Sequence, residues 1–172
     1  ESSFATWLKI GEDDGVTLYS PHIDFGQGSQ TALAQMLADE LDADWTKVRV
    51  EHAPAETAFA NTPLGQGFIA GGMAVPGFLA GMVKASFSMV ARNYPLQLTG
   101  GSSAIRMTGQ FGMRVVGAAA RTALVAVAAK RLGVPVSELA TAESKVIHQK
   151  TGKVLRYGEL AKQVLRTSRR CL

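Results

Sequence analysis

Two short stretches carry residue types suited to holding a ligand. Gly26-Gln27-Gly28 stands just before one helical pattern, and Gly100-Gly101-Ser102-Ser103 stands before another. Glycine has no Cβ, so backbone N–H groups in such a loop approach a ligand closely. The first turn of a helix presents unpaired N–H donors and the positive end of the dipole, which suits a phosphate or another anion. Gln27 adds an uncharged carboxamide that both donates and accepts. The plain alternative is a tight turn and a helix cap with no ligand. Two such stretches in one chain favour a ligand without deciding for it.

Elements of recognisable period must position these loops. The helix after Gln27 covers Ser29 to Leu41, with Leu33, Met36, Leu37 and Leu41 on one face. Its opening turns contain no acid, while Asp39 and Glu40 sit at its far end, against the dipole preference. Nothing in the chain is therefore expected to neutralise its N-terminus. Upstream, Trp7, Leu8 and Ile10 lead into a polar Gly11–Gly15 turn, and Val16, Leu18 and Tyr19 follow, which predicts a hairpin. Downstream, Val48 and Val50 alternate with Lys47, Arg49 and Glu51, the pattern of a half-buried strand. Strand, helix and strand together predict a helix packed on a sheet.

Pro54 to Leu98 begins as a loop of small residues. From Pro76 to Arg92 a helix is expected through Phe78, Leu79, Met82, Val83, Phe87 and Val90. The strongest helix signal is Ala104 to Leu132, with Ser102 or Ser103 as its cap. Its interior holds Gly109, Gly112 and Gly117, each costing roughly 1 kcal/mol relative to alanine. Their presence predicts another backbone very close by. Gly133 ends the helix and Pro135 prevents its continuation. A hairpin turning at Thr151-Gly152 and a short helix from Tyr157 complete the chain. The expected class is α+β, a mixed sheet with packed helices, with residues 1–172 forming one domain or the N-terminal portion of a longer one.

Composition narrows the function classes. Hydrophobic residues make up 47% of the 172, enough for a core. The single cysteine, Cys171, excludes a disulfide framework and an iron–sulfur cluster held by this chain alone. His22, His52 and His148 match no metal-ligand spacing and are expected in loops or at the surface. The net charge of +4 divides unevenly: eleven acids and three bases up to Glu56, then three acids and fifteen bases. Either an anionic ligand or partner lies near the later segments, or the two halves attract each other. The bases are dispersed along helices and turns without interleaved aromatics, so nucleic acid is not expected as a partner. Thr57 to Val83 has no charge but carries seven glycines or prolines between Thr62 and Gly77, which argues against a spanning helix. The start at Glu1 suggests a piece of something longer. No G-x-S-x-G elbow, Walker loop or H-E-x-x-H occurs. Gly65-Gln66-Gly67-Phe68-Ile69-Ala70 fits a dinucleotide-binding pattern by letter but follows Asn-Thr-Pro-Leu rather than a strand, so it reads as a loop.

Three ordered blocks resemble a known family: "DGVTLYSPHIDFGQGSQTALAQMLADELDADWTKVRVEHAP", "LTGGSSAIRMTGQFGMRVVGAAARTALVAVAAKRLGV" and "VIHQKTGKVLRYGELA". They are similar to the molybdenum-binding subunit of the isoquinoline 1-oxidoreductase type, in the xanthine dehydrogenase/aldehyde oxidase family. The resemblance covers nearly the whole chain except Leu64 to Gln97. It implies part of a molybdopterin-binding domain in a molybdenum hydroxylase, which inserts water-derived oxygen into an aldehyde or an electron-poor N-heterocycle. It implies a molybdenum–molybdopterin cofactor, in its cytosine dinucleotide form, and [2Fe–2S] clusters on a small partner subunit. In this reading Gln27 lies beside the metal's oxo ligand, and Gly26 and Gly28 let the loop approach. Gly100, Gly101, Ser102 and Ser103 become cofactor contacts.

The chain departs from the family in having Asp24-Phe25 where relatives usually have Glu-Met. No segment matches the later parts of those longer subunits, which supply further pterin contacts and the general-base glutamate. Glu159 falls in a structural block and is not a candidate base. The resemblance leaves the compartment open between a bacterial periplasm and cytoplasm. The competing reading is a module that binds an anion or assembles with a partner and keeps the fold without redox chemistry.

Overall fold

The computed structural model describes residues 2–61, 76–93 and 101–168. Four strands form the first sheet: β1 (Ser2–Ala5), β2 (Leu8–Ile10), β3 (Val16–Ser20) and β4 (Val48–His52), in that order. β1, β2 and β3 pair antiparallel, and β4 joins β3 in parallel. A parallel neighbour requires a crossover, and α1 (Ser29–Leu41) supplies it. This is the expected mixed sheet; β1 is an extra edge strand. In β2 and β3 every second residue is buried, and the register sets Leu8 beside Leu18 and Ile10 beside Val16. Val48 and Val50 extend those two rows. One face of the sheet is thus an unbroken apolar surface, which α1 covers with Leu33, Leu37 and Leu41, while Met36 is only half-buried.

α2 (Gly77–Asn93) forms where its pattern predicts; of its apolar residues Phe78 is 86% exposed and Met82 and Val90 are exposed too, while Leu79 and Val83 are half-buried. Gly101–Ala104 is a single helical turn, followed by a π turn over Ile105–Gly109 and then α3 (Gln110–Leu132). Ser102 and Ser103 lie inside that first turn rather than ahead of it, so the predicted cap position is corrected. α3 crosses α1 and ends at Gly133, whose φ of 69° is the left-handed conformation expected of a helix-terminating glycine. Of the interior glycines, Gly117 meets the expectation of a close backbone: a Cβ there would stand 2.6 Å from the carbonyl oxygen of Leu37. Gly112 does not, since a Cβ there would meet nothing within 4 Å.

β5 (Leu139–Ala142), β6 (Lys145–His148) and β7 (Val154–Arg156) make a second, antiparallel sheet against α3. The β6–β7 hairpin is as predicted, and β5 adds a third strand. α4 (Tyr157–Ser168) packs on β1, β2 and α3. The core joins all these parts: Met113, Leu124 and Ala128 of α3, Val146 of β6, and Tyr157 and Leu160 of α4 meet the first sheet and α1. α3 is also the one helix among the described residues that is apolar and long enough to cross a membrane. Here one of its faces lies in the core.

Part of the charge asymmetry is met within the molecule. Four ion pairs join the acidic first part to the basic second part: Arg114–Glu40, Arg121–Asp42, Arg156–Asp14 and Lys162–Glu12. Two of them pair acids at the end of α1, offsetting their poor placement on its dipole. Asp14 goes further. It is buried at the tip of the β2–β3 hairpin and accepts from the Gly158 N–H at 2.9 Å, which supplies α4 with a capping carboxylate from the far end of the chain.

Candidate functional site

The chain leaves β3 through Pro21, His22 and Ile23 and reaches α1 through the loop Asp24–Gly28. The two glycines have φ of 101° and 71°, in the region that side chains avoid, and a Cβ on either would meet nothing within 4 Å. In this structure the glycines are required by the backbone turn, and the outer side of the loop is open.

Asp24 organises the turn. One carboxylate oxygen accepts from the Gly26 N–H at 2.8 Å and the Gly28 N–H at 3.3 Å, and the other accepts from the Gln30 N–H at 3.2 Å. Those N–H groups hold the carboxyl below the usual aspartate range, the Gly26 contact contributing most. This corrects the expectation that nothing neutralises the start of α1. The signal lay four residues before the helix cap position, where a search of the first turn does not look. The anion that α1 attracts is a side chain of its own loop.

Gln27 is folded onto the same loop. Its Oε1 accepts from the Phe25 N–H, and its Nε2 donates to the carbonyl of Ile23 at 2.8 Å and to Ser29 Oγ at 3.1 Å. The carboxamide is therefore held in one orientation. Phe25, beside it, is 72% exposed.

The second glycine-rich stretch is described from Gly101 onward; Gly100 lies outside the described residues, as does the dinucleotide-like pattern from Gly65. Gly101 has φ of 57° and open space around it, and Ser102 is exposed. The π turn that follows is a rare backbone form often found at functional sites. Gly109 at its end and Gly112 one turn on border a recess of about 180 Å³ with Trp7, His22, Asn61 and Met113. The recess places residues next to both glycine-rich stretches in one wall.

His22 stands out there. It lies in a loop, as expected, but is buried, at 3% exposure, whereas His148 is buried at the end of β6 and departs from the loop-or-surface expectation. His148 is satisfied by Thr151 and Glu138. His22 has no partner among the described residues at either ring nitrogen, and burial pushes its pKa down, favouring the neutral ring. Sequence reasoning missed it because a lone histidine carries no spacing signal. Glu159 is engaged by Arg156 and Arg131 as a structural acid. No group of three or more potential metal ligands occurs among the described residues. The open side of the glycine loop leaves room for an organic cofactor.

Residues 2–75 match the molybdopterin cofactor-binding domain family. The match covers that segment, which is less than half of the chain. It is 33% identical over 159 residues to the isoquinoline 1-oxidoreductase subunit beta of Brevundimonas diminuta, covering 92% of this chain and 16% of that protein. It is 28% identical over 154 residues to a membrane-bound aldehyde dehydrogenase (pyrroloquinoline-quinone) of Gluconacetobacter polyoxogenes, covering 90% of this chain and 15% of the relative. Its fold is similar to that of quinoline 2-oxidoreductase from Pseudomonas putida 86, with a TM-score of 0.54 and 15% identity over 94% of this chain and 16% of the other. The Cu,Mo-CO dehydrogenase gives the same TM-score, at 17% identity, over 89% of this chain and 15% of the other. The chain thus spans about a sixth of the length of the proteins it matches.

Proposed function

We propose that this domain holds the molybdenum–molybdopterin cofactor of a hydroxylase that oxidises aldehydes or N-heterocycles with oxygen taken from water. The observation that carries this reading is the match to the cofactor-binding family across the segment containing the Asp24–Gly28 loop. When bound, the cofactor supplies the two-electron redox centre. The chain's own residues supply its seat. Gly26 and Gly28 give the loop a shape that no side chain blocks. Gln27 offers an amide donor without adding charge, as suits an oxygen ligand that must be stabilised in place. That role asks one amide proton to leave Ile23 or Ser29, and the open side of the loop leaves room for the turn. Gly100, Gly101, Ser102 and Ser103 form the second contact.

The finer reading assigns the cytosine dinucleotide form of the cofactor, a small [2Fe–2S] partner subunit that carries electrons away, and the rest of a longer large subunit that completes the pocket with a general base. Exposed Phe25, Phe78, Met82 and Phe111 support further protein packing around this domain. The competing anion-binding module is disfavoured because Arg114, Arg121, Arg156 and Lys162 already pair with the chain's own acids. Elemental analysis of the parent protein, expressed with the cofactor supplied, is expected to find molybdenum, and its absence sinks the reading. Gln27→Ala is expected to cut turnover of the parent while leaving the fold intact by circular dichroism.

A further inference from the structure

Gln27 stands between two glycines of positive φ, 101° at Gly26 and 71° at Gly28. Glycine gives up more conformational freedom on ordering than any other residue, so such a loop fixes a side chain only when something holds its backbone. Asp24 holds it. The N–H groups on either side of Gln27, those of Gly26 and Gly28, both donate to one carboxylate oxygen, and the Gln30 N–H donates to the other. Gly28 occupies the cap position of α1 without a side chain to cap it, so the carboxylate takes a helix donor that a capping side chain would take. Bonds to an ionised acceptor are about twice as strong as neutral ones.

The brace serves the loop more than the core. α1 is already seated by Leu33, Leu37 and Leu41, all fully buried, whereas Phe25 and Gly26 are exposed. The Gly26, Gly28 and Gln30 N–H groups are spent on Asp24, and the Phe25 N–H is spent on Gln27 Oε1. The carboxamide of Gln27, at the end of a flexible side chain, is the polar group of this loop that can turn outward while the backbone stays in place.

We propose that Asp24 is a positioning residue for Gln27: it fixes the backbone on both sides so that the carboxamide meets the cofactor from a loop that does not move. A donor that stabilises a ligand does so best when its support is ordered beforehand. The inference rests on the proposed function and adds a residue outside both glycine-rich stretches.

The test is a double-mutant cycle on the parent holoenzyme: wild type, Asp24→Asn, Gln27→Ala and the double variant. Each is loaded with cofactor, and the rate at which molybdenum and pterin leave it is measured at one temperature below the melting point of every variant. Asparagine keeps the shape of aspartate, but its Nδ2 sets a donor against a backbone N–H. Asp24→Asn is expected to speed the loss about tenfold, the ratio that about 1.4 kcal/mol gives. In the Gln27→Ala background the same change is expected to alter the rate less than about twofold, because the side chain it positions is gone. Asp24→Glu, which keeps the charge on a longer arm, is expected to recover part of the retention. An equal effect of Asp24→Asn in the two backgrounds overturns the proposal, since it marks a brace for the fold alone. Loss from Asp24→Asn as slow as from wild type overturns it too. Should Asp24→Asn take up no cofactor, its thermal unfolding decides: a cooperative transition supports the proposal, the fold being kept and the site lost, and its absence overturns it. A wild-type parent that holds no molybdopterin at all overturns the proposed function instead.

Discussion

At the mouth of α1, the Asp24 carboxylate takes three backbone N–H groups and Gln27 closes on its own loop. At the head of α3, Ser102 is exposed, the backbone widens into a π turn, and Gly109 and Gly112 border a recess beside an unsatisfied histidine. In sequence the two regions look like one device, glycines followed by a helix. The first satisfies itself and must be opened to act on a ligand. The second holds space in reserve. A glycine-rich helix start is thus ambiguous until the partners of its N–H groups are known.

The sharpest way to break the comparison uses two glycines on one helix. Gly117→Ala forces a Cβ against the Leu37 carbonyl and is expected to cost about 2 kcal/mol or more in urea denaturation. Gly112→Ala places the same methyl in open space and is expected to stabilise the cofactor-free protein by about 0.5–1 kcal/mol. Equal effects at the two positions would mean that the recess is not open in solution.

Asp24→Asn tests the self-satisfied mouth. The folded-state pKa of Asp24 lies below its ordinary value, so its stabilisation is complete above about pH 4 and is lost as the pH falls through the lowered value. The gap in melting temperature between wild type and Asp24→Asn should therefore be full near neutrality and close under acid conditions. Asp24→Ala sharpens the same point. With the internal anion gone, low-millimolar phosphate at matched ionic strength should raise the melting temperature of the variant more than that of wild type. The smallest effect is expected for Ser102→Ala. A true helix cap would cost about 1 kcal/mol on removal, whereas an exposed serine inside the first turn should change stability by less than about 0.5 kcal/mol.

Much of the fold was legible because its periodicities are strong. The Ser29–Leu41 helix, the parallel pairing it implies, the two hairpins and the stop at Gly133 follow from spacing and from residues with restricted dihedrals. β1 and β5 were not legible, since strands of four residues are too short to show an alternating pattern. The outward face of α2 was missed for another reason. An apolar stripe shows that a face is to be covered and does not show by what.

At the site, the sequence by itself determined the open glycine loop, the carboxamide of Gln27 and the family blocks around them. These depend on residue type and order, and both survive folding. Only the tertiary structure decided that Asp24 already fills the anion position of α1, that Gly117 is needed and Gly112 is free, and that Arg114, Arg121, Arg156 and Lys162 pair with acids of the first part. It alone brought His22 to the wall of the α3 recess. Each of these is a relation across a turn or between distant segments, where the deciding quantity is whether a polar atom has a partner or a methyl group has room. Neither can be read from one residue's neighbours in the chain.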